Sequence, residues 1–187
     1  MRRLSLLILL LILAACSGGE SDRTLSTCTT LARVESFSLC IPDGWILATS
    51  NFGNESSSVL TFHREGTDEP PLYVHVKHEA LQDKTLSPLL FAKRGREIAS
   101  QQAPEYLLIS IEDIQVNSAR TLLHVFLATP DEGRDPIAYY QLILPVDGRG
   151  YGFSATLQRE MREEDEALVR SIYESITFDP NDPASST

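Results

Sequence analysis

Polar and apolar residues alternate with period two in several short runs, the signature of half-buried strands. Phe37, Leu39 and Ile41 alternate with Ser36, Ser38 and Cys40, and Pro42-Asp43-Gly44 turns the chain into a second strand at Trp45–Leu47. Beyond a polar loop, Leu60 and Phe62 oppose Thr61 and His63; Leu72, Val74 and Val76 then oppose Tyr73, His75 and Lys77. The period changes at Ser87-Pro88, an N-cap with proline at the first helical position, which predicts a helix over 89–102 ended by Pro104. Phe91, Gly95 and Ile98 are expected near one side of it. A glycine costs about 1 kcal/mol in a helix interior, so Gly95 points to close approach of this helix to a sheet. Leu107, Ile109 and Ile111 follow in strand register, with a phase flip before Ile114 and Val116 that predicts a bulge there. Leu122–Leu127 is almost continuously apolar, as in a strand covered on both faces. Tyr139–Leu157 reads as a hairpin about Asp147-Gly148-Arg149-Gly150. A second helix is predicted over 160–175, with Leu168, Ile172 and Ile176 as its apolar stripe and Phe178 closing the domain.

The first residues do not fit this body. Arg2 and Arg3 precede an apolar run, Leu4–Ala15, broken only by Ser5. Its twelve residues span about 18 Å as a helix, short of the roughly 30 Å bilayer core, which favours an export signal over a membrane span. The run ends in Leu13-Ala14-Ala15-Cys16 followed by Ser17-Gly18-Gly19, which resembles a bacterial lipoprotein box. That resemblance implies removal of residues 1–15 and acylation of Cys16, both on sulfur and at its new amino terminus. The alternative is a soluble secreted protein with a coincidental cysteine. Ser17 after the cysteine favours the outer membrane, facing the periplasm, by resemblance to enterobacterial sorting. Residues 16–27 read as a flexible tether reaching at most about 36 Å, 28–179 as the folded domain and 180–187 as a polar tail.

Charge narrows the partners. The chain carries a formal charge of -10, and loss of Arg2 and Arg3 takes it to -12. Such a charge argues against the broad basic footprint that nucleic acid requires, and the body would be repelled by an anionic leaflet, leaving anchoring to the lipid. Three acyl chains exceed the two signals that stable anchoring takes. In an oxidising compartment Cys28 and Cys40 are expected to be joined, stabilising the fold by about 3 kcal/mol on the loop-entropy model. Neither has the close dithiol motif that a redox role needs.

Three segments carry a family likeness: Phe37-Ser-Leu-Cys-Ile-Pro-Asp-Gly-Trp45, Tyr151-Gly-Phe-Ser-Ala155 and Ser171-Ile-Tyr-Glu-Ser-Ile-Thr-Phe178. Over about residues 34–178 the chain resembles the PsbP-like superfamily, which includes PsbP and the bacterial lipoprotein DcrB. The resemblance implies an α+β fold, a central antiparallel β-sheet sandwiched by helices. It also implies an accessory, chaperone or docking role without a shared catalytic residue set. The Cys28–Cys40 pair departs from that pattern.

Chemistry-bearing residues are sparse. His63 and His75 share the polar face of one expected hairpin and form the weak beginning of a metal site, which lacks a third ligand; the alternative is surface histidines. His78 falls on the opposite parity, and His124 lies in a strand of unknown neighbours. Ser154 sits inside a regular strand and lacks the second glycine of a nucleophile elbow. The carboxylates of 160–166 read as solvated. Lys93, Arg94 and Arg96 concentrate positive charge in an acidic chain, either as a docking patch for an acidic partner or lipid headgroup or as a balanced helix face. These features predict a lipid-anchored, non-enzymatic envelope protein without a cofactor, which docks on or stabilises another envelope protein. An immunity lipoprotein that captures an incoming, basic toxin or phage component is the second reading. A metal-assisted enzyme using the histidine face is the third.

Overall fold

The computed structural model describes residues 30–34, 36–51, 56–131, 133–157 and 162–178. The expected signal segment (1–15), the 16–29 stretch with Cys16 and Cys28, and the tail 180–187 lie outside these residues. Among the described residues the elements are β1 (Thr30–Val34), β2 (Phe37–Ile41), β3 (Trp45–Asn51), β4 (Ser57–Arg64), β5 (Leu72–Ala80), α1 (Pro88–Gln102), β6 (Leu107–Val116), β7 (Ala119–Ala128), β8 (Ile137–Val146), β9 (Arg149–Leu157), α2 (Glu163–Glu174) and β10 (Thr177–Phe178).

A seven-stranded antiparallel sheet has the order β3-β4-β5-β9-β8-β7-β6. It is two meanders joined where β5 pairs with β9, Leu72 opposite Leu157. A second, three-stranded sheet has the order β1-β2-β10. The strand Phe37–Ile41 therefore belongs to the small sheet, next to a strand β1 that its weak alternation had hidden, and Phe178 pairs with Phe37.

One face of the large sheet makes the main core. Leu60, Phe62, Val74, Val76, Leu142, Phe153 and Ala155 lie buried there with Phe37, Leu39, Val169, Ile172, Tyr173 and Ile176 from the small sheet, α2 and the turn after it. The α2 stripe is thus centred on Val169, Ile172, Tyr173 and Ile176, with Leu168 at its edge. The acidic start of α2 is not wholly solvated, contrary to expectation: Asp165 is 1% exposed. Its Oδ2 accepts the Arg162 backbone N–H at 2.9 Å, capping the helix start where the dipole also favours negative charge. Farther along, Arg170 is 11% exposed and binds Glu112 of β6, with Glu166 and Glu174 also within ion-pair distance. Desolvation first, then the neighbouring Glu112 charge, pushes the Glu166 carboxyl up.

Helix α1 covers the opposite face over β7 and β8. Ser87 Oγ accepts the Leu90 N–H at 3.3 Å, the predicted cap. A Cβ on Gly95 would lie 2.1 Å from Ile143 Cδ1, so the glycine is what lets the helix sit this low. Ala92 and Gly95 lead the contact, and this roll leaves Ile98 53% exposed on the shoulder, where the helical period alone had put it inward. Strand β7 is buried on both faces, as its apolar run predicted. The β6 bulge falls between Leu108 and Ser110, earlier than expected. Ile111 pairs with His124 on the α1 face, whereas Ile114 pairs with Thr121 on the core face, and regular alternation connects them. The turns Asn117-Ser118 and Asp147-Gly148 both have two positive φ values, matching the right-handed strand twist of a two-residue hairpin.

Candidate functional site

The α1-bearing face is only half covered. Over β3, β4 and β5 it carries exposed Ile46, His63, His75 and Lys77. Strand register orders its side chains into two rows. In one, His124 pairs with Gln141, Gln141 with Ser154, Ser154 with His75 and His75 with Val59. In the other, Phe126, Tyr139, Thr156, Tyr73 and Thr61 succeed one another across the same strands. Cross-strand partners share a face, so each row is a continuous ridge with steps of about 4.8 Å.

Beneath α1 the polar row is sealed. His124 is 3% exposed, with Nε2 2.8 Å from the Tyr106 hydroxyl and Nδ1 3.2 Å from Gln141 Oε1. A neutral imidazole whose Nδ1–H donates to Gln141 and whose Nε2 accepts from Tyr106 satisfies both nitrogens. The ring stacks on Phe126 at 4.7 Å, and Phe126 on Tyr139 at 5.2 Å. Burial pulls the His124 pKa down, the Gln141 bond opposes this, and the nearby Arg96 charge adds to the lowering. Burial also pushes the Tyr106 phenol up.

At its open end the row emerges at His75. Partial burial and then the Lys77 charge hold its pKa below the ordinary imidazole value. Ser57, Ser58, Val59, His75, Val76 and Lys77 line a cavity of about 210 Å³ beside it. That is below the roughly 300 Å³ at which drug-sized ligand sites begin. His63 shares this face but stands four residues along β4 from Val59, the partner of His75. That is about 13 Å of strand, too far for both imidazoles to reach one metal ion at bonding distance. Among the described residues no group of three or more His, Cys, Asp and Glu side chains converges.

Comparison with known proteins rests on the fold. No protein-family model matches the sequence, and no curated protein matches it. Among solved structures, the chain is similar to PA94 of Pseudomonas aeruginosa, a protein of unknown function, with a TM-score of 0.55 at 18% identity, over 81% of this chain and 98% of that one. It is also similar to the cyanobacterial PsbP (CyanoP) of Synechocystis sp. PCC 6803, with a TM-score of 0.50 at 15% identity, over 80% of this chain and 93% of that one. The fold is PsbP-like.

On this PsbP-like scaffold the basic trio of α1 is divided. Lys93 and Arg94 are exposed, and the Arg94 charge acts on Asp83 in the loop before the helix. Arg96 is half-buried on the other flank, where its charge acts on His124 and Tyr106. Three neighbours in sequence therefore serve two sides of the helix, because successive residues are about 100° apart. Ser154 stands opposite His75, but among the described residues no hydrogen bond joins them. Cys40 lies on β2, its N–H donating to Ser175 Oγ at 2.9 Å, whereas Cys28 is outside the described residues. His124, buried and doubly bonded, is a titratable group that the sequence alone left without neighbours. Its signal was a lone histidine in the most continuously apolar strand.

Proposed function

We propose that the chain is a lipid-anchored, non-enzymatic accessory protein of the bacterial envelope. In this reading it docks on or stabilises another envelope protein through the open half of its PsbP-like sheet. The observation that carries the reading is the position of α1: it covers β7 and β8 and leaves Ile46, His63, His75 and Lys77 exposed on one face. The lipoprotein-like segment ending at Cys16 supports an anchored protein on the periplasmic side of the outer membrane. A Cys28–Cys40 bridge is proposed to fasten the tether to β2.

The test is crosslinking in cells, comparing the wild type with an Ile46→Arg/Lys77→Glu double variant and a Lys93→Ala/Arg94→Ala double variant. One stoichiometric partner, lost in the sheet variant and kept in the helix variant, is the expected result. Loss in the helix variant alone transfers docking to α1. Absence of any stoichiometric partner overturns the docking role.

A further inference from the structure

The open end of the polar row differs in sign from the molecule around it. The chain is acidic, at -10 overall, yet His75 and Lys77 stand two residues apart along β5, on the same face, and line one cavity. Among the described residues neither side chain has an ion-pair or hydrogen-bond partner of its own, and the Lys77 charge acts on His75 without a compensating anion. Among the described residues, the others that line the cavity are Ser57, Ser58, Val59 and Val76, none of them a carboxylate. The row facing His75 from β9 is also neutral, with Ser154 opposite His75 and Gly152 opposite Lys77. A Cβ on Gly152 would meet no atom within 4 Å, which leaves the ground beside Lys77 clear. Glu79 is the acidic group on the same face of β5, two residues beyond Lys77, and His63 is the other titratable group on that face of β4.

We propose that this cavity is a binding site for a small oxyanion, a carboxylate or phosphate group held between His75 and Lys77. Lysine supplies a point charge, and the imidazole supplies a directed N–H. A volume of about 210 Å³ suits a group of a few heavy atoms better than a larger ligand. An oxyanion seated there replaces the repulsion between the two groups with attraction to both. Binding therefore moves the His75 titration upward. The site stands whether or not a protein partner docks on the same face.

The experiment follows the histidine ring signals of the full-length protein by NMR while sodium acetate or inorganic phosphate is added at constant ionic strength set with chloride. The expected result is a saturable movement of His75 in the millimolar range, with its titration midpoint raised and His63 unmoved. Lys77→Ala is expected to weaken binding about tenfold, the loss of one charge-assisted bond. Unchanged signals from buried His124 show that the variant is folded. Saturation by acetate, by phosphate or by both identifies which oxyanion the site takes. No saturable change with either anion overturns the proposal. So does equal movement of His63 and His75, which is a bulk salt effect, or a His75 response that saturates at the same anion concentration in Lys77→Ala as in the wild type.

Discussion

His124 meets almost no water, and its two ring nitrogens are occupied by Tyr106 and Gln141. Protonation turns Nε2 from acceptor to donor, so that the Tyr106 hydroxyl has to turn and accept, and it places a charge beside Arg96 in a buried setting. The folded-state pKa is therefore below that of the unfolded chain, so at mildly acid pH the unfolded state binds more protons. Stability from this group is fully present above about pH 6.5 and is lost as pH falls through the lowered folded value. His124→Phe keeps the stack on Phe126 but removes the titration. Its melting temperature is expected to be lower at neutral pH, because Tyr106 and Gln141 lose a partner. Its decline on acidification is expected to be shallower than that of the wild type. His75 adds the same slope to both proteins, so parallel melting curves against pH would sink the assignment. Little of this was legible in the sequence. Parity put His63 and His75 on one face, as observed, but only register shows that they are far apart and that His75 shares its row with His124. Register is a relation between strands distant in sequence, which local alternation does not contain.

Elements were more legible than their partners. Ser87-Pro88 marked the start of α1, and the regular apolar positions of β5 and β9 marked strands that the structure contains. These signals are local, arising from capping and from one buried face. The roll of α1 was not legible, because it depends on what lies beneath the helix. Two glycines fix that docking: Gly95 over Ile143, and Gly150 of β9 under Phe91. A Cβ at Gly150 would fall 2.5 Å from Phe91 Cζ and 3.0 Å from Leu81 Cδ2. A planar ring cannot bend away as a methylene chain can. Gly150→Ala is expected to destabilise by about 1–3 kcal/mol, the usual cost of overpacking, measured by urea denaturation. Adding Phe91→Leu should recover part of that loss. Undiminished stability in Gly150→Ala would show that α1 is free to ride higher on the sheet.

At the scale of the whole molecule, the α+β architecture expected from the family likeness is present. Helix α1 lies on one face of the large sheet, and α2 with the small sheet lies on the other. The small sheet was not foreseen, because β1 has no clear alternation and β10 is two residues long. The proposed attachment of this body to a membrane rests on the segment before it. Cys16→Ser is expected to move the protein from the membrane fraction to the soluble fraction without changing its melting temperature. Retention of the variant with membranes would refute lipid anchoring. The order of strands has a further consequence, for the path by which the molecule is assembled. Every neighbour pair in the large sheet except one joins strands consecutive in sequence, and each such pair closes a short loop of chain. The exception is β5 with β9, which brings Leu72 to Leu157 and Ala80 to Arg149. Closing so long a loop costs more entropy before any contact rewards it, so this seam is expected to form after the two meanders it joins. Until it closes, each meander carries a bare strand edge that a neighbouring chain can occupy. Crowding of newly made chains is therefore most dangerous while β5 and β9 remain apart.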